Sequence, residues 1–131
     1  MKIAQKKSQA AIEFMILVGI LFFLLFLFGL SQLADAKRAY AEKESELVYD
    51  LALKLQEEIR AASLVEEGYA RNFTIPLKLE NFDYEISVDS GFLTVASGTA
   101  LYSVRIPNIT GPINKGPNYI RKEGGAVYFN Q

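Results

Sequence analysis

The chain has no cysteine and no histidine. The first absence excludes a disulfide framework and thiolate chemistry. The second removes the commonest general base and the commonest metal ligand, so a catalytic site would need carboxylates, lysines or hydroxyls alone. Charge of either sign is not in excess: 14 Lys and Arg stand against 15 Asp and Glu, and nothing directs the chain to nucleic acid. Proline is confined to Pro76, Pro107, Pro112 and Pro117. Charged and hydrogen-bonding side chains are missing altogether from residues 14–30. With 131 residues there is room for one small domain and an extension.

What occupies residues 14–30 is an unbroken apolar run, and at about 1.5 Å per residue it covers roughly 26 Å as a helix. Ala10, Ala11 and Ile12 before it, with Leu33 and Ala34 after it, bring the length to the roughly 30 Å of a bilayer core. The helix would be apolar on every face, and a domain of this size has nothing with which to surround it. Lys2, Lys6 and Lys7 precede the run with no acidic residue among them, which keeps the N-terminus cytoplasmic and sends the remainder outward. Asn72-Phe-Thr74 and Asn108-Ile-Thr110 on that outer part are N-glycosylation sequons. A cleaved secretory signal is the competing reading, with Ser31, Ala34 and Ala36 as small residues near a cleavage point. The run is longer than the usual signal core, however, and the helical pattern continues through that point.

Glu13 stands one residue before the apolar run. A carboxylate at the edge of a bilayer core costs several kcal/mol unless it is paired or held at the interface. Its surroundings, Lys6-Lys7-Ser8-Gln9-Ala10-Ala11-Ile12-Glu13-Phe14, resemble the leader junction of archaeal type IV pilin-like proteins, which carry class III signal peptides. The resemblance covers roughly the first 34 residues. It implies that a short basic leader is removed between Ser8 and Gln9 by a prepilin-type peptidase. Gln9 then becomes the first residue, Glu13 the fifth and Phe14 the sixth. The family most often has Gly or another small residue before the cut, which Ser8 matches loosely. Archaeal flagellins have a related leader but usually lack the glutamate, so Glu13 favours a pilin.

The resemblance further implies that Glu13 and Phe14 serve assembly, Glu13 meeting the free α-amine of Gln9 on a neighbouring copy. Desolvation offsets much of such a pair's Coulomb gain, so the expected role of Glu13 is to set subunit register. An N-terminal glutamine can also cyclise and lose its charge, and the pairing then fails. Removing Lys2, Lys6 and Lys7 takes away the charges that resist extraction of the helix from the membrane.

The helix is expected to continue well past the apolar run. Between Ser31 and Glu67 there is no Pro or Gly, and strong helix formers abound. Leu33, Ala36, Tyr40, Leu47, Leu51, Leu55, Ile59 and Ala62 recur near a 3.6-residue period, broken once by Glu44. Gly68 reads as the stop. A helix from Gln9 to Glu67 would measure roughly 90 Å. Its second half either packs on its own head, the favoured reading, or forms a coiled-coil seam; the stripe is not a sustained heptad. Gly19 and Gly29 either permit close helix contacts or simply reflect their frequency in membrane helices, the preferred reading.

Beyond Asn72 the period changes to two. Phe73, Ile75, Leu77 and Leu79, then Phe82, Tyr84, Ile86 and Val88, predict half-buried strands. Turns at Asp89-Ser90-Gly91 and Ser97-Gly98 bound a third strand over 92–96 and introduce a fourth over 100–106. Pro107, Gly111, Pro112, Gly116 and Pro117 predict an irregular loop. Residues 118–122, Gly124-Gly125 and 126–129 read as a final hairpin, with the glycine pair as its turn rather than a ligand loop. Pro76 places the first strand at a sheet edge. Asp83, Glu85 and Asp89 either gather on one strand face to bind a cation or, as such rows usually do, form a solvated surface.

The expected fold class is α+β: a long N-terminal helix, apolar in its first half and amphipathic in its second, packed by that second half on a small antiparallel β-sheet head. The expected division is a leader at 1–8, a transmembrane or filament-core helix at 9–34, its amphipathic continuation at 35–67 and an extracellular head at 68–131. No nucleophile with a base, metal-ligand cluster or phosphate loop is found, so no enzyme activity, cofactor or metal is expected. The implied function is a structural subunit of a surface filament used in adhesion. The implied partners are further copies of the chain, the peptidase, the pilus assembly platform and, before assembly, the membrane. A minor pilin or pseudopilin of a secretion or uptake machine, and a signal-anchored binding protein that never polymerises, stand as alternatives.

Overall fold

A computed structural model describes the helix backbone from Lys2 and every residue, side chain included, from Ser8 to Gln131. The elements in chain order are α1 (Lys2–Leu64), β1 (Ala70–Ile75), β2 (Glu85–Asp89), β3 (Phe92–Ser97), β4 (Ala100–Arg105), β5 (Ile109–Thr110), β6 (Gly116–Glu123) and β7 (Ala126–Phe129). The chain falls into two compact units, one ending at Tyr40 and the other spanning Ala41–Gln131. The α+β class is as expected, with one long N-terminal helix and a mainly antiparallel β part.

In the second unit, the end of α1 meets its geometric requirement through a distant residue. The last turn of an α-helix leaves carbonyls without partners, and the last turn of α1 carries no basic residue. Lys122 on β6 supplies the charge: its Nζ donates to the carbonyls of Ser63 at 2.9 Å and Val65 at 2.7 Å. The helix therefore stops at Leu64, three residues before the expected end at Glu67. Gly68 follows it with φ at +87°, and the amide of Gly68 donates to the Lys122 carbonyl at 3.2 Å.

The buried helical stripe is Val48, Leu51, Ala52, Leu55, Ile59 and Ala62. Leu51, Leu55, Ile59 and Ala62 are buried as expected, and the expected stripe is corrected at its N-terminal end. Leu33 and Tyr40 are 58% and 68% exposed, Ala36 is exposed as well, and all three belong to the first unit. Val48 and Ala52 replace them in the core, with Leu47 partly buried against it. Glu44 is a contact and not a gap in the stripe, because the Ser97 hydroxyl lies 2.8 Å from its Oε1. The same stripe on α1 joins one hydrophobic core with Ile75, Leu93, Val95, Val104, Ile120 and Phe129, so this half of α1 packs on its own head.

The strands form two sheets where a single one was expected. One has the order β1-β6-β7-β5 and the other β2-β3-β4. All pairings are antiparallel except β5 with β7, which is parallel and joins Ile109 to Val127 and Thr110 to Tyr128. This two-residue strand lies in the segment expected to be an irregular loop. Gly111 permits it: its φ is +104°, and a Cβ there would lie 2.0 Å from the Phe129 carbonyl oxygen. β6 also starts earlier than expected. Pro117 is tolerated within it because pairing with β7 begins only at Ile120, so no ladder bond on that side is lost.

β1 lies at a sheet edge, as Pro76 predicts, and it ends at Ile75. Leu77 is exposed, while Leu79 forms only an isolated bridge to Phe82. The β3–β4 and β6–β7 hairpins follow the expected glycines, and Ser90-Gly91 turns β2 into β3 with φ of +50° and +80°. Positive φ at both central positions is the requirement of a two-residue hairpin loop matched to strand twist.

Candidate functional site: an exposed apolar helix with one carboxylate

The first unit has no core of its own. From Ile12 to Leu33 every large apolar side chain is exposed, with Val18 alone of intermediate exposure. Burying one such side chain is worth about 1.5–3 kcal/mol. A surface of this extent in water would therefore be unfavourable by tens of kcal/mol, and soluble monomers rarely carry apolar patches beyond a few hundred Å². The helix is long and apolar enough to cross a membrane, although a signal sequence near an N-terminus meets the same criterion.

Glu13 is the sole carboxylate in this segment, since no other Asp or Glu occurs before Asp35. It lies on α1 one turn after Gln9, whose Nε2 donates to Glu13 Oε1 at 3.2 Å. The i, i+4 spacing brings the two side chains onto one face. One oxygen of the carboxylate is thereby engaged, and the other remains open to a further donor. Ser8, Gln9, Glu13 and Phe14 are all exposed, and the Ser8–Gln9 bond lies within α1. The side chains of Lys2, Lys6 and Lys7, expected as the leader charges, lie outside the described residues.

The remaining singled-out residues lie in the second unit. Asn72 is exposed on the edge strand β1 and Asn108 is exposed just before β5, so both sequons are accessible. Asp83, Glu85 and Asp89 are exposed and do not form a metal-binding group; among the described residues no cluster of three acidic side chains does. Asp83 pairs with Lys78 at 3.4 Å, and Asp89 accepts from the Ser90 hydroxyl at 3.0 Å.

An open groove of about 400 Å³ beside β2 and β3 is lined by Asp83, Glu85, Ser97 and Lys115 among others. Ser97, Lys115 and Tyr84 in its lining are already engaged. Ser97 is 3% exposed and its single hydroxyl hydrogen is shared between Glu44 Oε1 and the Asp83 carbonyl. Lys115 Nζ sits 4.6 Å above the Tyr84 ring, and the Tyr84 hydroxyl donates to the Pro76 carbonyl. Burial pushes the Tyr84 phenol above its ordinary value. These contacts tie loops to strands. They provide no accessible nucleophile with a base.

Sequence reasoning did not find Lys122 at the helix end, the Glu44–Ser97 contact or Tyr84 as a fully buried anchor. The first had a local signal: a helix with no cation in its last turn needs a partner from elsewhere. Comparison with known proteins returned no matching family model, no matching curated protein and no matching solved structure.

Proposed function

We propose that the chain is a structural subunit of an archaeal type IV pilus-like surface filament, made as a membrane precursor with its N-terminus in the cytoplasm and its head outside. The observation that carries this reading is the exposed apolar segment of α1, in which Glu13 is the only acid before Asp35, set five residues after Ser8 in the junction Ser8-Gln9-Ala10-Ala11-Ile12-Glu13-Phe14. In the precursor the bilayer covers the apolar surface. A prepilin-type peptidase cuts before Gln9 and removes Lys2, Lys6 and Lys7. An assembly platform then transfers the helix from lipid into a filament core, where neighbouring helices bury one another. The transfer exchanges one apolar environment for another, so its main electrostatic cost falls on Glu13. An α-amine from the next copy offsets that cost and sets the register. The heads then form the outer surface and make the adhesive contact. The acidic excess of the mature chain suits such a surface.

N-terminal sequencing of the mature protein tests the processing step, with a start at Gln9 expected and a retained Lys2–Lys7 segment refuting it. Shearing cells and imaging the released material separates a major filament subunit from a minor pilin or pseudopilin. Glu13→Ala is expected to insert into the membrane normally and to yield few or no filaments. Normal filaments from that variant would refute the role given to Glu13. A signal-anchored binding protein that never polymerises would keep its leader and release no filaments.

A further inference from the structure

An N-terminal glutamine has an internal reaction open to it. Its α-nitrogen attacks Cδ of its own side chain, the Cδ–Nε2 bond breaks, and a proton passes from the attacking nitrogen to the departing one. Ammonia leaves, and the resulting lactam carries no positive charge. The reaction needs no co-reactant, so only conformation and local electrostatics restrain it. In this chain the atom that would depart is the one already held: Gln9 Nε2 donates to Glu13 Oε1 at 3.2 Å.

We infer that Glu13 acts as a clasp that slows the cyclisation of Gln9 after the leader is removed, a reading that rests on the processing step proposed above. Two effects operate. The bond ties the Gln9 amide to the residue one turn on, and the departing Nε2 must give it up before ammonia can leave. The carboxylate also accepts from the amide N–H, which strengthens nitrogen's donation into the carbonyl and lowers the electrophilicity of Cδ. It offers no proton to the departing nitrogen. No Lys or Arg occurs between Ser8 and Ala34, so no cation of this segment competes for the carboxylate. Glu13 thereby preserves the amine on which a charged contact with a neighbouring copy depends, while its second oxygen stays open for that contact.

The test follows the N-terminal peptide of the processed, detergent-solubilised full chain by mass spectrometry during incubation at neutral pH. Cyclisation appears as a mass lower by one ammonia. The wild type is expected to cyclise slowest, and Glu13→Ala roughly twofold faster. Glu13→Gln, which keeps an uncharged acceptor at the same reach, is expected to fall between them, and it supplies the comparison if Glu13→Ala is poorly processed. Equal rates in all three proteins, or a wild type already fully cyclised on isolation, would overturn the clasp. A peptide that still carries Lys2–Lys7 would instead overturn the processing reading and the clasp with it. A start at Gln9 with equal rates overturns the clasp alone.

Discussion

Replacing Lys122 by methionine keeps an unbranched side chain of similar length and removes only the ammonium. That ammonium donates to the carbonyls of Ser63 and Val65 and is the cation at the end of α1. A cation at a helix C-terminus is worth about 0.3–1 kcal/mol, and a hydrogen bond to a charged group about 1.5–3 kcal/mol when fully shielded. Lys122 is half-buried, and the Val65 contact is exposed, so water replaces part of what is lost. The expected net loss is about 1–2 kcal/mol in the second unit. At about 4–8 °C per kcal/mol for a domain of this size, its melting temperature falls by about 4–16 °C. Near-ultraviolet circular dichroism of the full chain in detergent reads this unit, because every tyrosine except Tyr40 lies in it and there is no tryptophan. The backbone bonds of Lys122 to Gly68 and Tyr69 remain in the variant, so the assay isolates the side chain. Lys122→Arg keeps the charge and is expected to recover most of the loss. A methionine variant that melts within about 2 °C of the wild type would refute the cap, given that same conversion. So would an arginine variant as unstable as the methionine one.

Gly111→Ala forces a Cβ to 2.0 Å from the Phe129 carbonyl at a φ of +104°. Together, overpacking and backbone strain predict a loss of about 3 kcal/mol or more, read as a lowered melting temperature or a failure to fold. Gly68→Ala, also at positive φ but with open space around it, is expected to lose about 1–2 kcal/mol, which separates crowding from strain. Burial raises the Tyr84 phenol, so the folded state holds that proton more tightly than the unfolded chain does. Its contribution is complete below pH 10.0, the unfolded value, and declines as pH rises from there through the folded value. Ultraviolet titration of the phenols is expected to find one late-titrating tyrosine that disappears in Tyr84→Phe. That variant also loses the bond to the Pro76 carbonyl, at about 1 kcal/mol.

Local chemistry determined much of this protein from its sequence. Helix formers without Pro or Gly over residues 31–67 specify α1 beyond its apolar run, and the apolar run itself needs no partner to be recognised as a surface that must leave water. Ser90-Gly91, Gly98 and Gly124-Gly125 mark hairpin turns because positive φ is a property of the residue and its immediate neighbours. Pro76 likewise marks the edge position of β1. The junction around Gln9 and Glu13 is equally local, since four residues along a helix are one turn in space.

Only tertiary structure decided what depends on residues far apart in the chain. The division of the strands into two sheets, the parallel pairing of β5 with β7, the capture of α1's last carbonyls by Lys122 and the engagement of Glu44 by Ser97 all join segments separated by many residues. Periodicity cannot reveal these, because it reports which face of an element is apolar and not which element will cover it. The buried stripe starts at Val48 rather than Leu33 for the same reason. An apolar face becomes core only where a sheet lies against it, and within the second unit the sheets cover α1 along Val48, Leu51, Ala52, Leu55, Ile59 and Ala62.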